Sequence, residues 1–116
     1  LSLCEITVLS GDDSMTLPFM SVGAVGVVSV AANIIPDRVK ALTQSYLEGD
    51  HDESRRIHYE ISELCRTLFI ETNPIPVKTA LSLMKMVGEE WRMPLCEMAR
   101  ENKEKLRVVL KKYKLV

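Results

Sequence analysis

The chain has 116 residues, with 15 Lys and Arg against 16 Asp and Glu and a formal net charge of −1. Its composition, 47% hydrophobic and 27% charged, is typical of a soluble globular domain and excludes a disordered segment, a collagen-like fibre and a coiled coil. The neutral balance argues against a nucleic-acid-binding function, which needs a basic excess. The length suits one modest domain and is too short for a complete (β/α)₈ barrel of about 250 residues.

The spacing of the cysteines and the hydropathy of the sequence indicate the cellular location that we expect. Cys4, Cys65 and Cys96 are widely spaced and form no C-x-x-C pair, so we expect neither a disulfide framework nor a zinc site, and a reducing cytoplasmic location. No apolar run reaches the ~18 residues that cross a bilayer, so no membrane association is expected. Because the sequence starts at Leu1 and not at methionine, we expect an upstream part. Residues 99–116 hold seven basic and two acidic side chains, net +5, which indicates a solvated helix face or a contact for an acidic surface.

The first third of the chain alternates strand and helix patterns. Residues 5–9 are rich in β-branched side chains and stop at a Ser-Gly pair, which predicts a strand. Asp12 and Asp13 then favour the start of a short helix over residues 15–22. Residues 26–30 form a nearly continuous apolar run, typical of a strand buried in a parallel sheet. Strand, helix and strand in this order predict a βαβ unit and an α/β fold class.

Only helical patterns follow Asn33. The predicted helices run from Pro36 to Gly49, from Asp50 or Asp52 onwards, from about Pro76 to Val87, and from about Ala99 onwards. The second has an apolar stripe that consists of Ile57, Ile61, Leu64, Cys65 and Leu68. The last one is expected to bury Leu106, Val109, Leu110 and Tyr113. Two strands leave both edges of a sheet open, so the chain is expected to be the end of a larger architecture.

Three places could carry chemistry. The strand-to-helix junction at residues 10–13 could bind an anion or, through Asp12 and Asp13, Mg²⁺; the alternative is that one aspartate caps the helix. His51 and His58 lie seven residues apart, not at the spacing of a metal pair on a helix, and are expected to be surface residues. Lys78, in the first turn of a predicted helix, could form a Schiff base, but an ion pair with Glu71 is the favoured interpretation.

Several motifs together resemble one known family. Leu-Ser-Gly-Asp-Asp at 9–13, Gly-Val-Val-Ser-Val-Ala-Ala-Asn at 26–33 and Phe-Ile-Glu-Thr-Asn-Pro-Ile-Pro-Val-Lys at 69–78 are similar to segments of the 4-hydroxy-tetrahydrodipicolinate synthase (dihydrodipicolinate synthase) family. Arg-Met-Pro-Leu at 92–95 and the closing helix complete the set. The family belongs to the N-acetylneuraminate lyase superfamily of class I aldolases. The resemblance covers essentially the whole chain and indicates the C-terminal portion of such a protein.

The resemblance implies a partial barrel. Residues 1–49 would hold the last two βα units of a (β/α)₈ TIM barrel, strands seven and eight with their helices, and residues 50–116 a C-terminal helical region. Val28 would border the pyruvate pocket through its backbone carbonyl, and Gly11 would line the same pocket, where added bulk would intrude. No catalytic residue is expected in this chain, because the Schiff-base lysine and the proton-relaying tyrosine belong to motifs that would precede Leu1. Neither a cofactor nor a metal is implied.

The implied activity belongs to the parent protein. It is a lyase that condenses pyruvate with aspartate semialdehyde through a lysine Schiff base, on the diaminopimelate route to lysine, in a cytoplasmic homo-oligomer expected to be a tetramer. The chain alone is expected to be inactive. Two alternatives remain open: a non-catalytic helical assembly module, and a fragment of a sister aldolase that acts on another 2-oxo acid.

Overall fold

The computed structural model describes residues 4–116. Two compact units divide the chain, Leu1–Ser62 and Glu63–Val116, and the boundary between them falls within the longest helix. The α-helices are α1 (Thr16–Ser21), α2 (Pro36–Leu47), α3 (His51–Thr67), α4 (Ile75–Leu83) and α5 (Arg100–Lys112). Short 3₁₀ turns at Asp13–Met15 and Ala31–Asn33 flank α1 and precede α2.

The two predicted strands are not formed as strands. Over residues 4–116 the structure has no β-strand, and a single parallel bridge joins Ser10 and Val27. The Ser10 amide donates to the carbonyl of Gly26 at 2.9 Å, and the Val28 amide donates to the carbonyl of Ser10 at 2.8 Å. The predicted order and the parallel direction hold, but the expectation of strands over 5–9 and 26–30 was wrong. Two paired segments with no third neighbour have too few cross-strand contacts to extend the ladder.

Helix α3 shows the predicted amphipathic pattern. All five residues of the predicted apolar stripe are at most 3% exposed, which confirms the prediction, although the last of them, Leu68, lies one residue beyond the end of the helix. Each large aliphatic side chain buried in this way stabilises the fold by roughly 1.5–3 kcal/mol relative to an exposed one. The amide of Glu53 donates to the Asp50 carboxylate at 3.0 Å, so Asp50 caps the start of the helix.

Helices α4 and α5 supply most of the core of the second unit. Leu106 and Leu110 on α5 are fully buried as predicted, whereas Val109 and Tyr113 are half-buried. Ile75, Val77 and Ala80 on α4 are buried too. The predicted end of α4 at Val87 was wrong, because the helix stops at Leu83.

A common turn ends α1, α2, α4 and α5. This turn is the Schellman motif. The residue two positions after the last helical residue adopts a left-handed conformation. Its amide and the amide of the following residue donate hydrogen bonds to carbonyls of the last helical turn. Glycine occupies that position after α1 and α2, as Gly23 (φ 109°) and Gly49 (φ 87°). Lysine occupies it after α4 and α5, as Lys85 (φ 59°) and Lys114 (φ 58°). The sequence therefore signalled the end of α2 at a glycine, but contained no such signal after Leu83.

Candidate functional site

The junction at residues 10–13 is built from short-range hydrogen bonds. The Asp12 carboxylate accepts from the amide of Ser14 at 2.7 Å and from its hydroxyl at 2.6 Å, which confirms the capping interpretation for Asp12. The Ser10 hydroxyl donates to the carbonyl of Asp12 at 2.7 Å, and the Asp12 amide donates back to that hydroxyl at 3.2 Å. These bonds turn the chain sharply where the first extended segment ends.

Asp13 has a role that the sequence did not indicate. It is 4% exposed, and its carboxylate accepts from the Ser29 hydroxyl and from the amides of Val30 and Ala31, both at 3.0 Å. A buried carboxylate is tolerated only when it is well hydrogen-bonded. Asp13 thus ties the first junction to the turn that follows the second extended segment. Adjacent aspartates look alike in sequence, so nothing marked this one as the buried member.

The alternative of a magnesium site at the two aspartates has no support in the geometry. No three His, Cys, Asp or Glu side chains within residues 4–116 are grouped so that they could hold a metal ion. Both Asp13 oxygens already accept hydrogen bonds from the protein.

The two histidines of α3 each contact a tyrosine ring. The ring of His51 lies 4.7 Å from that of Tyr46, and the ring of His58 lies 5.5 Å from that of Tyr59, measured between centroids. Burial lowers the pKa of the His58 imidazole.

The predicted partner of Lys78 was wrong. The Lys78 ammonium donates to the carbonyl of Glu90 at 3.0 Å and lies 5.0 Å from the centroid of the Trp91 ring, a cation–π contact. Glu71 instead accepts from the amide of Ala99 at 3.1 Å and from the side-chain amide of Asn102 at 2.8 Å. Its charge therefore lies at the N-terminus of α5, where a helix dipole favours an anion.

The structure brings Gly11 and Val28, the two predicted pocket residues, to the same end of the paired segments. Each directly follows one of the two bridged residues, Ser10 and Val27. The Val28 side chain is 68% exposed, and no donor among residues 4–116 bonds its carbonyl oxygen. A Cβ atom at Gly11 would meet nothing within 4 Å. At this end of the paired segments, the described residues therefore leave open space at Gly11 and a backbone acceptor at Val28 that has no partner among them.

Within the described part of the chain, no helix has both the length and the apolar character to cross a bilayer.

Comparisons with known proteins agree on one family. The model of the Dihydrodipicolinate synthetase family matches residues 3–113. A 4-hydroxy-tetrahydrodipicolinate synthase of Hydrogenobaculum sp. is 59% identical over 112 residues, which are 97% of this chain and 39% of that protein. The crystal structure of dihydrodipicolinate synthase from Aquifex aeolicus matches with a TM-score of 0.93 and 57% identity, over 95% of this chain and 38% of its own.

A third relative was solved in complex with pyruvate. The dihydrodipicolinate synthase from Acinetobacter baumannii, complexed with pyruvate, matches with a TM-score of 0.91 and 35% identity, over 96% of this chain and 38% of its own. The chain thus spans about two fifths of the length of these relatives. The family indicated by the sequence motifs is confirmed: this chain belongs to the dihydrodipicolinate synthetase family.

Proposed function

We propose that these residues are the C-terminal portion of a 4-hydroxy-tetrahydrodipicolinate synthase, a lyase that condenses pyruvate with aspartate semialdehyde. The relatives that match over nearly the whole chain carry that name. The lysine that forms the Schiff base lies outside these residues. Lys78 does not fit that role, because its ammonium group is engaged with the Glu90 carbonyl and the Trp91 ring and not at the open junction.

The architecture that supports this function is a partial barrel. Residues 1–49 form the last two βα units of a (β/α)₈ barrel, and residues 50–116 form the appended helical region. The parallel bridge between Ser10 and Val27 supports this assignment, because consecutive barrel strands pair in parallel. Residues that belong to barrel strands would gain their missing neighbours from the rest of the barrel.

The observation that carries the proposal is that the carbonyl of Val28, which has no partner among the described residues, and the open backbone of Gly11 each directly follow a bridged residue. In barrel enzymes the active site lies at the C-terminal ends of the strands, and both residues occupy that end of the paired segments. A free backbone acceptor there can take a hydrogen bond from the hydroxyl or N–H that forms when a lysine amine adds to the ketone of pyruvate. Gly11 leaves space for the small 2-oxo acid.

Trapping with borohydride tests where the reactive lysine lies. The chain alone, incubated with pyruvate and sodium borohydride, should show no mass adduct. The same chain joined to the upstream part of the Hydrogenobaculum synthase should gain one pyruvate-derived adduct, and should condense pyruvate with aspartate semialdehyde. A stable adduct on a lysine of the chain alone would contradict the proposal, and so would a joined protein that folds but forms no adduct.

A substitution at the proposed pocket tests the role of Gly11. In the joined protein, Gly11→Trp should raise the KM for pyruvate or lower kcat/KM by at least about tenfold, because the indole would fill the space for the substrate. Gly88→Trp is the matched control, since Gly88 is an exposed glycine in the second unit with only the Glu90 side chain nearby. Equal effects of the two substitutions would contradict a pocket at Gly11.

The assembly and the location of the proposed enzyme follow the family resemblance. We place it in the cytoplasm as a homotetramer, with pyruvate and aspartate semialdehyde as its substrates and no cofactor. Sedimentation velocity of the joined protein tests the assembly, and a species of four chains is the expected result. A monomer at micromolar concentration would contradict the tetramer without affecting the assignment of the reaction.

A further inference from the structure

A cavity of about 310 Å³ lies at the C-terminal ends of α4 and α5, within the second unit. Its lining combines aliphatic side chains, which include Leu83, Met84 and Leu115, with three cations. The cations are Lys85, Arg107 and Lys111. Small-molecule sites have this composition, an apolar wall with few polar groups, and volumes from about 300 Å³ upwards.

The backbone at this cavity does not need the cations. The Lys85 amide donates to the carbonyl of Ser82 at 2.9 Å, and the Lys114 amide donates to the carbonyl of Lys111 at 2.9 Å. The amide that follows each lysine bonds one carbonyl further back, at 3.0 Å in both turns. Carbonyls at both helix ends therefore have partners within the main chain, and the ammonium groups remain available for another ligand.

The charge at the cavity is positive and incompletely paired. Neither Lys85 nor Lys111 forms an ion pair or a side-chain hydrogen bond with the described residues. The buried Nε of Arg107 makes no hydrogen bond, because the Glu104 carboxylate lies 3.6 Å away. The lining carries three full positive charges, and these are opposed by the α-carboxylate of Val116, by the Glu104 carboxylate near Arg107 and by the weaker dipoles of the two helix C-termini. Lys85 and Lys111 still have no acidic side chain as a partner among the described residues.

We propose that this cavity binds a small organic monoanion with an apolar body, such as a medium-chain carboxylate. The carboxylate would accept hydrogen bonds from Arg107 and from one or both lysines, the strong charge-assisted type. The hydrocarbon would lie against the aliphatic wall. All contributing residues belong to the second unit, so the proposal does not depend on the chemistry proposed for the junction at Gly11.

Isothermal titration of the joined protein with sodium octanoate tests the site, with octan-1-ol and sodium acetate as comparison ligands. Octanoate should bind saturably at one site in the submillimolar range, octanol at least about fivefold more weakly, and acetate not measurably. Octanol also reports any apolar binding elsewhere on the chain. Equal binding of octanoate and octanol, or no saturable binding of octanoate, would overturn the proposal and leave the cations as partners of the helix dipoles only.

Variants locate the binding. Arg107→Gln and Lys111→Gln should each weaken octanoate binding at least about fivefold. Lys105→Gln is the matched control on the same helix, because Lys105 pairs with Glu101 and does not line the cavity; it should leave the affinity unchanged. Circular dichroism checks that each variant folds, and Lys85→Gln replaces any variant that does not. Unchanged affinity in every folded cavity variant would overturn the assignment.

Discussion

Asp13 links the first junction to the turn that follows the second extended segment. Its buried carboxylate accepts hydrogen bonds from the Ser29 hydroxyl and from the amides of Val30 and Ala31. Asp13→Asn replaces one carboxylate oxygen by an NH₂ group. That group donates hydrogen bonds and would face the hydroxyl and the amides that now donate to the carboxylate. Since hydrogen bonds to charged groups contribute about 1.5–3 kcal/mol, the free energy of unfolding should fall by about 2 kcal/mol. Urea unfolding measures it.

The neighbouring aspartate is the control for this substitution. Asp12 is exposed and caps the first turn, and asparagine caps a helix about as well as aspartate. Asp12→Asn should therefore change the free energy of unfolding by less than about 0.5 kcal/mol. A similar loss in both variants would show that Asp13 acts as an ordinary cap and not as the link between the two segments.

His58 gives the stability a dependence on pH. Burial lowers the pKa of its imidazole below the ordinary value of 6.5, so between the two values the unfolded chain binds more protons than the folded chain. The contribution of His58 to the free energy of unfolding is therefore complete above pH 6.5, and it is lost as the pH falls through the lowered pKa of the folded state. The imidazole signals in an NMR titration should give a midpoint for His58 below 6.5.

Replacement of His58 tests whether this residue makes the stability depend on pH. His58→Gln should reduce the difference in urea midpoint between about pH 7.5 and pH 5.5, because the group that resists protonation is gone. An NMR midpoint at or above 6.5, or an unchanged difference in the variant, would contradict the role of burial at His58.

At the scale of elements, the two left-handed lysines are expected to cost stability. A left-handed conformation costs a residue with a Cβ atom about 1–2 kcal/mol, and glycine avoids this cost but loses more backbone entropy on folding. Lys114→Gly should therefore raise the free energy of unfolding by about 0.5–1 kcal/mol, and Lys85→Gly should do the same. Thermal and urea unfolding of the joined protein measure both changes.

The same substitution inside a helix should have the opposite sign. Lys105 lies on the exposed side of α5, where glycine is about 1 kcal/mol less favourable than a good helix former. Lys105→Gly should accordingly destabilise the chain. If Lys114→Gly destabilises it as well, the turn after α5 does not impose the strain that its φ of 58° indicates.

The sequence predicted the helices better than their ends and their partners. The spacing of apolar residues placed α3 and its buried stripe correctly, because that pattern depends on the helix alone. The end of α4 was missed because lysine, not glycine, takes the left-handed position. The partners of Glu71 and Lys78 were missed because each contacts residues 12 to 31 positions away, and no local rule connects them.

The candidate site was predictable only in part for a similar reason. Motif resemblance pointed to Gly11 and Val28, and the structure brings both to one end of the paired segments. The hydrogen bonds that Asp13 accepts from a turn 16 to 18 residues later depend on how the two segments pair. That pairing is a property of the tertiary structure, and the sequence of residues 10–13 alone does not predict it.

At the scale of the molecule, the paired segments present an unusual amount of exposed apolar surface. Ile6, Leu9, Val25 and Val28 are between 47% and 68% exposed, and among residues 4–116 no third segment pairs with either outer edge. Open apolar edges pair with other chains. The chain alone should therefore self-associate and bind the dye ANS, and joining it to the upstream part of the Hydrogenobaculum synthase should suppress both.

A charged substitution at the edge distinguishes association through the open edge from non-specific association of exposed apolar side chains. Val25→Lys should reduce light scattering and dye binding by the isolated chain, because lysine on an edge strand opposes pairing. Val108→Lys on α5 is the matched control, as Val108 is comparably exposed but lies on a helix, which has no open edge to pair. A monomeric chain that binds no dye would contradict the open edge and favour a self-sufficient helical module. Equal suppression by both lysines would assign the association to apolar exposure in general and not to the edge that, in a barrel, a neighbouring strand would cover.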